Sequence, residues 1–154
     1  MTRVYRILRK RYAKKPFDGE GAYLFGGRWS SIGVRLAYTA EHLSLAMIEY
    51  FVHIDPDGSP KDLVTVAADV PEGVSRTRIR LDRLPRNWRA SPSPPELTVI
   101  GNRFAHERRA AILIVPSALA PAESNWLINP YHPEFSKIRL GTVEAFEYDS
   151  RFFK

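Results

Sequence analysis

The stretch L-A-Y-T-A-E-H-L-S-L-A-M-I-E-Y-F-V-H-I, residues 36–54, predicts a short strand that leads at once into a helix. Leu36 to Thr39 has the length and residue types of a short strand. Thr39 is also of the type that caps a helix N-terminus. Glu41 then falls in the first turn, where a carboxylate complements the helix dipole. We therefore expect a helix that continues to Ile54.

Apolar residues occupy nearly every face of this helix from Leu43 to Ile54, which predicts burial on more than one side. Glu49 is its only acid after the first turn. A carboxylate in such a run is paired with a base, faces a cleft or lies on a single wet stripe. The helix pattern leaves these three interpretations of Glu49 open.

The rest of the chain contains more strand patterns than helix patterns. The run A-I-L-I-V, residues 111–115, is continuously apolar, as expected of a central strand covered on both faces. Residues 96–109 have helical spacing despite Gly101. The other strand candidates are residues 3–8, with Val4 and either Ile7 or Leu8 inward, and residues 63–70, 76–81, 125–130 and 142–148.

Three segments read as loops because they are rich in turn-forming residues. Residues 14–27 are rich in glycine, residues 55–60 form the turn cluster D-P-D-G-S-P, and residues 85–95 hold four prolines. No strict alternation of strands and helices, no repeat and no linker is apparent. We expect a single mixed α+β domain over residues 1–154.

Composition bounds the class of protein. The chain of 154 residues is 44% apolar and 26% charged, which is typical of a folded globular domain. It has no cysteine, which excludes disulfides and thiolate chemistry and fits a reducing compartment. Basic residues occupy the place where a signal peptide needs an apolar core, and the longest apolar run is far below the ~20 residues of a membrane span. We expect a cytoplasmic protein without a membrane segment.

The net charge is +6, and seven bases precede the first acid, Asp18. Such a cluster suits nucleic acid, a nucleotide substrate or an acidic partner protein. A solvated strand and loop explain it equally well. The charge pattern alone leaves these alternatives open.

Several motifs are absent. The chain lacks the phosphate-loop, dinucleotide, zincin and serine-hydrolase signatures. The four histidines, at positions 42, 53, 106 and 132, show no metal-ligand spacing. We therefore predict no metal.

Three polar residues stand in unusual settings. Arg28 lies in G-G-R-W, where Gly26 and Gly27 allow close backbone approach to a ligand and the guanidinium can grip two phosphate oxygens. The alternative is an arginine that stacks on a neighbouring tryptophan or bonds to loop carbonyls. Tyr38 follows ten residues later and Glu49 eleven after that, but spacing alone does not bring them together.

A family resemblance rests on the order of four motifs. They are G-G-R-W-S-S-I-G, A-Y-T-A-E-H-L-S-L-A-M-I-E, I-G-N-R-F and V-P-S-A-L-A-P-A-E-S-N-W-L-I-N-P-Y-H-P-E-F. From about Tyr5 to Phe146 the chain resembles the RES domain, named for an arginine, a glutamate and a serine. Ser30 stands where asparagine is expected, and Phe104 where tryptophan is expected. Neither is one of the namesakes.

The resemblance implies a fold related to the diphtheria-toxin-like ADP-ribosyltransferases. It implies that NAD is the substrate, bound in a cleft, and that the nicotinamide–ribose bond is broken. The acceptor would be inorganic phosphate or, in some members, a protein. It also implies a toxin with a cognate antitoxin of the Xre-like helix-turn-helix class that blocks the cleft.

By the same resemblance, Arg28, Glu49 and Ser117 occupy the namesake positions, and Tyr38 matches the active-site tyrosine. Glu49 would stabilise positive charge on the ribose, Arg28 would hold a phosphate group, and Tyr38 would stack on nicotinamide or ribose. Ser117 would bond a phosphate or a ribose hydroxyl, unless it caps a turn.

Two further residues are weaker candidates for ligand contact. Arg6, from the first strand, is expected to join the anion site. Asn129 would orient the loop around that site, although a turn before Pro130 explains it as well. Neither is a namesake of the family.

Two rival functions follow from the charge. The basic N-terminus, with Tyr5 and Tyr12 interleaved, fits a nucleic-acid-binding module or a ribonuclease toxin. That rival leaves the order of Arg28, Tyr38 and Glu49 unexplained, so we expect no direct nucleic-acid binding. The second rival is a non-catalytic domain whose cleft receives an acidic partner.

Overall fold

The computed structural model describes residues 1–55, 57–58 and 60–154, and within them the chain forms a mixed α+β structure. This confirms the predicted fold class. The predicted turn at residues 55–60 includes Pro56 and Ser59, which lie outside the described residues. In chain order the elements are β1 (Thr2–Arg9), α1 (Glu20–Phe25), β2 (Ala37–Ala40), α2 (Leu43–Phe51), β3 (Leu63–Val70), β4 (Arg76–Arg78), α3 (Pro95–Glu107), β5 (Ile112–Pro116), β6 (Ser124–Ile128), β7 (Arg139–Leu140) and β8 (Glu144–Ala145). None of the described helices is long and apolar enough to cross a membrane.

The strands form one curled sheet in the order β4-β5-β6-β2-β1-β3-β7, with β8 also paired to β3. Antiparallel pairs dominate, and β4 with β5 is the parallel pair, joined by α3. β1 and β3 pair along their whole length, but β1 and β2 pair only where Tyr5 faces Ala40. The sheet therefore consists of two halves that meet at one short contact.

Strand alternation gives the sheet two buried faces. In β1, Val4 and Leu8 pack into one cluster, whereas Ile7 lies on the other face against α2. All three are buried, so both candidates for the inward position are correct. In β5, Ile112 and Ile114 join the first cluster and Leu113 and Val115 join another, which confirms the predicted burial on both faces. β5 is nevertheless not central, because it lies next to the edge strand β4.

The segment 14–27 is not wholly a loop as predicted, since it contains α1. Gly19 precedes that helix with φ +73°, and Gly26 follows it with φ +72°. A Cβ on Gly19 would lie 2.7 Å from the backbone nitrogen of Leu36. The glycines did mark unusual backbone, but six helical residues are too few to show a periodic pattern.

Four expectations about α2 were wrong. Thr39 does not cap the helix, because it lies within β2 and its hydroxyl donates to the carbonyl of Trp126 at 2.7 Å. Glu41 precedes the helix and accepts a hydrogen bond from the backbone of Ser124 at 2.8 Å. The helix ends at Phe51 rather than Ile54, and only one side is buried, with Ile48 45% exposed.

The remaining predictions gave the correct type of secondary structure more often than the correct bounds. β3 spans the predicted residues, and α3 and the loop before it lie where expected. β4 is shorter than predicted because a 3-10 helix, Leu81–Arg83, follows it. Within residues 142–148 the described strand is limited to β8, Glu144–Ala145.

Candidate active site

Arg28 is held by the loop that precedes α3. Its Nη1 donates to the carbonyls of Trp88 at 3.0 Å and Ala90 at 2.9 Å. The alternative of bonding to loop carbonyls is therefore realised, but only for one nitrogen. Nε and Nη2 make no hydrogen bond within the described residues, so one edge of the guanidinium remains available to an anion.

Tyr38 anchors the loop that carries Arg28. Its hydroxyl accepts a hydrogen bond from the backbone N–H of Trp29 at 3.0 Å and shares one with Ser30 Oγ at 2.8 Å. Burial raises the pKa of Tyr38 to about 12, although these hydrogen bonds and the charge of Arg28 act in the opposite direction. A Cβ on Gly27 would lie 2.6 Å from that hydroxyl. Because the hydroxyl is engaged by the loop, the ring face is what Tyr38 can offer a substrate.

Gly101, in the middle of α3, supports the same loop from behind. A Cβ at this position would lie 1.6 Å from the carbonyl oxygen of Trp29, so the helix can touch the loop only because this residue is glycine. The next residue, Asn102, accepts from Ser31 N at 3.0 Å and donates to Ser31 Oγ at 2.9 Å. The sequence interpretation treated Gly101 merely as an exception in a helix.

Glu49 and Ser117 meet although 68 residues separate them. Ser117 Oγ donates to Glu49 Oε1 at 2.6 Å and accepts from the backbone N–H groups of Leu119 and Ala120, each at 3.1 Å. Ser117 is fully buried and Glu49 is half-buried. Ser117 therefore does cap a turn, and it also points its proton at the carboxylate. Its hydroxyl holds Glu49 in place, and within the described residues no histidine or lysine contacts it that would activate it as a nucleophile.

Residues 88–90 connect the loop of Arg28 with the turn that carries Ser117. The carbonyls of Trp88 and Ala90 hold Arg28, and Arg89 Nε donates to the carbonyl of Ala118, beside Ser117, at 2.8 Å. The sequence interpretation missed this segment, which lay in a loop defined by its prolines.

The sheet places the same groups on one face. Ala40, two residues after Tyr38 and thus on its side of the strand, packs with Leu45 and Ala46 of α2. That contact sets α2, and with it Glu49, on the Tyr38 face. All four main candidates therefore belong to one region.

Arg6 lies apart from that hydrogen-bonded group. Since Tyr5 pairs with Ala40, alternation sends the side chain of Arg6 to the opposite face, where its Nη2 lies near Gly21. Its Nε and Nη1 are buried without a hydrogen-bond partner, and burial lowers the pKa of the guanidinium. A buried cation with unused donors is costly unless an anion reaches it.

Asn129 is engaged by the fold. Its Nδ2 donates to the carbonyl of Ala105 on α3 at 3.1 Å, and its Oδ1 accepts from the backbone of Tyr131 at 3.0 Å. The residue is 1% exposed. These contacts are those of a turn residue that also fastens α3 to the end of β6.

One group of side chains has the spacing of a metal site. Potential ligand atoms of Glu41, His42 and Glu123 lie within 4.8 Å of one another, and His42 Nδ1 is 2.8 Å from Glu123 Oε1. The histidine spacing along the chain could not show this, because Glu123 is 81 residues from His42. The sequence-based expectation that no metal binds stays a prediction.

The fold and this set of residues define a RES-domain protein. The family described as RES domain matches residues 3–149, and the chain belongs to it. The Prs ADP-ribosylating toxin of Sphingobium sp. is 35% identical over 145 residues, covering 93% of this chain and 90% of that protein. Proteins named Toxin Res are 36% identical in Photorhabdus laumondii (98% of this chain, 97% of that protein) and 37% identical in Pseudomonas putida (96% and 99%). By this relationship the chain is a RES-domain protein of the toxin class.

A solved structure agrees on the fold. The M. tuberculosis MbcT–MbcA toxin–antitoxin complex contains a chain that superposes with a TM-score of 0.73 at 16% identity, covering 94% of this chain and 84% of that one. The likeness is consistent with the ADP-ribosyltransferase-like fold that the sequence resemblance implied.

Proposed function

We propose that this protein binds NAD at the site formed by Arg28, Tyr38, Glu49 and Ser117 and cleaves the nicotinamide–ribose bond, with inorganic phosphate as acceptor. The observation that carries the proposal is the half-buried Glu49 carboxylate, held by a buried serine hydroxyl at 2.6 Å. Such a carboxylate is fixed before the substrate arrives. It can therefore stabilise positive charge that develops on the ribose in the transition state.

The reaction needs few groups from the protein. The bond from ribose to nicotinamide breaks, both electrons go to the pyridine nitrogen, and neutral nicotinamide leaves. A phosphate oxygen then bonds to the anomeric carbon, while Glu49 faces the cationic ribose. Because nicotinamide leaves as a neutral molecule, no proton has to be delivered to the leaving group and the reaction needs no general acid.

The phosphate groups need cations, and two arginines qualify. Arg28 keeps Nε and Nη2 free on the Tyr38 face, and we assign it to the pyrophosphate or the incoming phosphate. Arg6 has two buried nitrogens without a partner, which supports an anion contact there, but its side chain lies on the face of the sheet opposite to Arg28. We assign Asn129 a structural role at the loop, because its amide is already bonded.

The test is NAD consumption by the purified protein, with nicotinamide and phosphorylated ADP-ribose identified by mass spectrometry. We expect loss of NAD only when phosphate is present, and no loss with folded Arg28→Ala or Glu49→Gln. The exposed Glu96→Gln is the matched control and should behave as wild type. Absence of NAD loss in every condition would refute the proposal.

Transfer of ADP-ribose to a protein is the second candidate, because one relative is named a Prs ADP-ribosylating toxin. The two reactions share the bond that breaks and differ in the acceptor. Phosphate-independent label transfer from adenine-labelled NAD to a protein would favour this alternative. The nucleic-acid alternative is weakened because Arg3 and Arg9 of the basic N-terminus pair with Asp69 and Asp62.

We also propose an antitoxin partner of the Xre-like class that covers the site. The support is the fold shared with a toxin that was solved in complex with its antitoxin. A cytoplasmic location and a single domain over residues 1–154 remain predictions.

A further inference from the structure

A second concentration of positive charge lies in the middle of the chain. Residues 76–89, R-T-R-I-R-L-D-R-L-P-R-N-W-R, contain six arginines, no lysine and one acid, Asp82. All of these arginines except Arg76 are exposed. We call residues 78–89 the arginine edge, because the segment starts on β4, the edge strand of the sheet.

Little within the chain neutralises this charge. Arg80 pairs with Asp82 at 2.9 Å, but both side chains are more than half exposed, and such pairs contribute little. The side chains of Arg83 and Arg86 make no hydrogen bond or ion pair within the described residues. A fixed cluster of guanidiniums attracts an acidic partner, and arginine binds carboxylates in a two-pronged geometry that lysine does not offer.

The backbone beside these side chains is also available. Ile79 N donates to the carbonyl of Ile114 on β5 at 2.9 Å. By strand alternation the N–H and C=O of Arg78 then point away from β5, toward the side of β4 on which no described strand pairs. An extended chain can add to such an edge through backbone hydrogen bonds.

A cavity of about 440 Å³ follows the same edge. Its lining combines two arginines and one acid, Arg78, Arg80 and Asp82, with apolar surface that includes Leu81, Pro116 and Pro121. Leu81 is 51% exposed. This mixture suits peptide side chains that alternate between acidic and aliphatic.

We infer that the arginine edge binds an extended acidic segment of a partner protein, which pairs with β4 and places carboxylates against Arg80 and Arg83. Nucleic acid fits this surface less well because single-stranded binding uses exposed aromatic side chains for base stacking, and Trp88 is 9% exposed. The surface adjoins the candidate active site, since Arg89 donates to the carbonyl of Ala118. The inference does not depend on NAD chemistry.

The test uses a short fluorescein-labelled peptide in which glutamate alternates with valine, and follows fluorescence anisotropy with the full chain. Arg80→Glu with Arg83→Glu should raise Kd by ~10-fold or more, as expected when rim charges are reversed. Lys14→Glu with Lys15→Glu makes the same change of charge at exposed residues elsewhere and should leave Kd within ~2-fold. Arg83→Gln with Arg86→Gln removes side chains without partners, so a smaller rise in Kd there cannot come from misfolding.

Two further probes separate the alternatives. A version of the peptide with a central proline should bind more weakly, because proline cannot donate in a strand ladder. An oligothymidylate should fail to displace the acidic peptide. Equal weakening by the Lys14 and Lys15 variant, unchanged binding of the proline peptide, or displacement by the oligothymidylate would each overturn the inference.

Discussion

The two halves of the candidate site are held in different ways. The loop of Arg28 is fixed by many contacts, from Tyr38, from Gly101 and from the carbonyls of Trp88 and Ala90. Glu49 is oriented by one side-chain hydrogen bond, from Ser117. Changes around the loop should therefore alter stability and activity together, whereas a change at the carboxylate should alter activity alone.

Glu49→Gln should show the largest difference between its effect on activity and its effect on stability. We expect NAD turnover to fall ~100-fold or more, because the amide keeps the shape but not the charge that faces the cationic ribose. Glutamine can still accept the proton of Ser117, so the free energy of unfolding should change by less than ~0.5 kcal/mol. Initial rates and denaturant unfolding measure both. A large loss of stability with full turnover would contradict the assignment of Glu49 to chemistry.

Gly101→Ala should instead disturb the loop. A Cβ 1.6 Å from the carbonyl oxygen of Trp29 forces α3 and the loop apart, at a cost of about 3 kcal/mol. Turnover should fall together with stability because Arg28 moves with Trp29. Gly73→Ala is the control, since a Cβ there meets no atom within 4 Å. Equal unfolding free energies for the two variants would show that the close contact between α3 and the loop does not contribute to stability.

The features that the sequence could predict are local, whereas most contacts that hold the two halves of the site are long-range. Alternation in β3 and the apolar run of β5 are local patterns, and both were recognised. The helix α1 was missed because glycines and distant packing hold it. At the site, Glu49 and Ser117 could be proposed from resemblance, but their contact could not, because it joins elements far apart in the chain. Trp88 and Gly101 act through a backbone carbonyl and a missing side chain, which residue types do not reveal.

Ser117→Ala should give a smaller, mixed effect. It removes the donor to Glu49 and leaves the N–H groups of Leu119 and Ala120 without an acceptor, which costs about 2 kcal/mol. Turnover should drop ~10-fold, since the carboxylate keeps its charge but loses its orientation. Ser136→Ala removes an exposed hydroxyl that donates to a carbonyl and serves as control. If Ser117→Ala lowered stability without any loss of turnover, the hydroxyl would be a turn cap only.

Tyr38→Phe should have the smallest effect at neutral pH and a distinct one at high pH. Loss of the hydroxyl leaves Trp29 N without its acceptor, at about 1 kcal/mol. The folded pKa of about 12 lies above the ordinary tyrosine pKa of 10.0, so the folded state holds its proton more tightly. This contribution to stability is complete below pH ~10 and is lost as the pH rises toward the folded pKa, because the unfolded chain ionises first.

Unfolding by denaturant at pH 8 and at pH 11 measures the contribution that the raised pKa of Tyr38 makes to stability. The free energy of unfolding should fall less from pH 8 to pH 11 in Tyr38→Phe than in the wild type. Tyr131→Phe is the control for loss of an exposed phenol. An unchanged fall would mean that burial does not raise the pKa of Tyr38 in the folded state. At neutral pH the hydroxyl keeps its proton, so Tyr38 fixes the loop of Arg28 and cannot act as a base for the reaction.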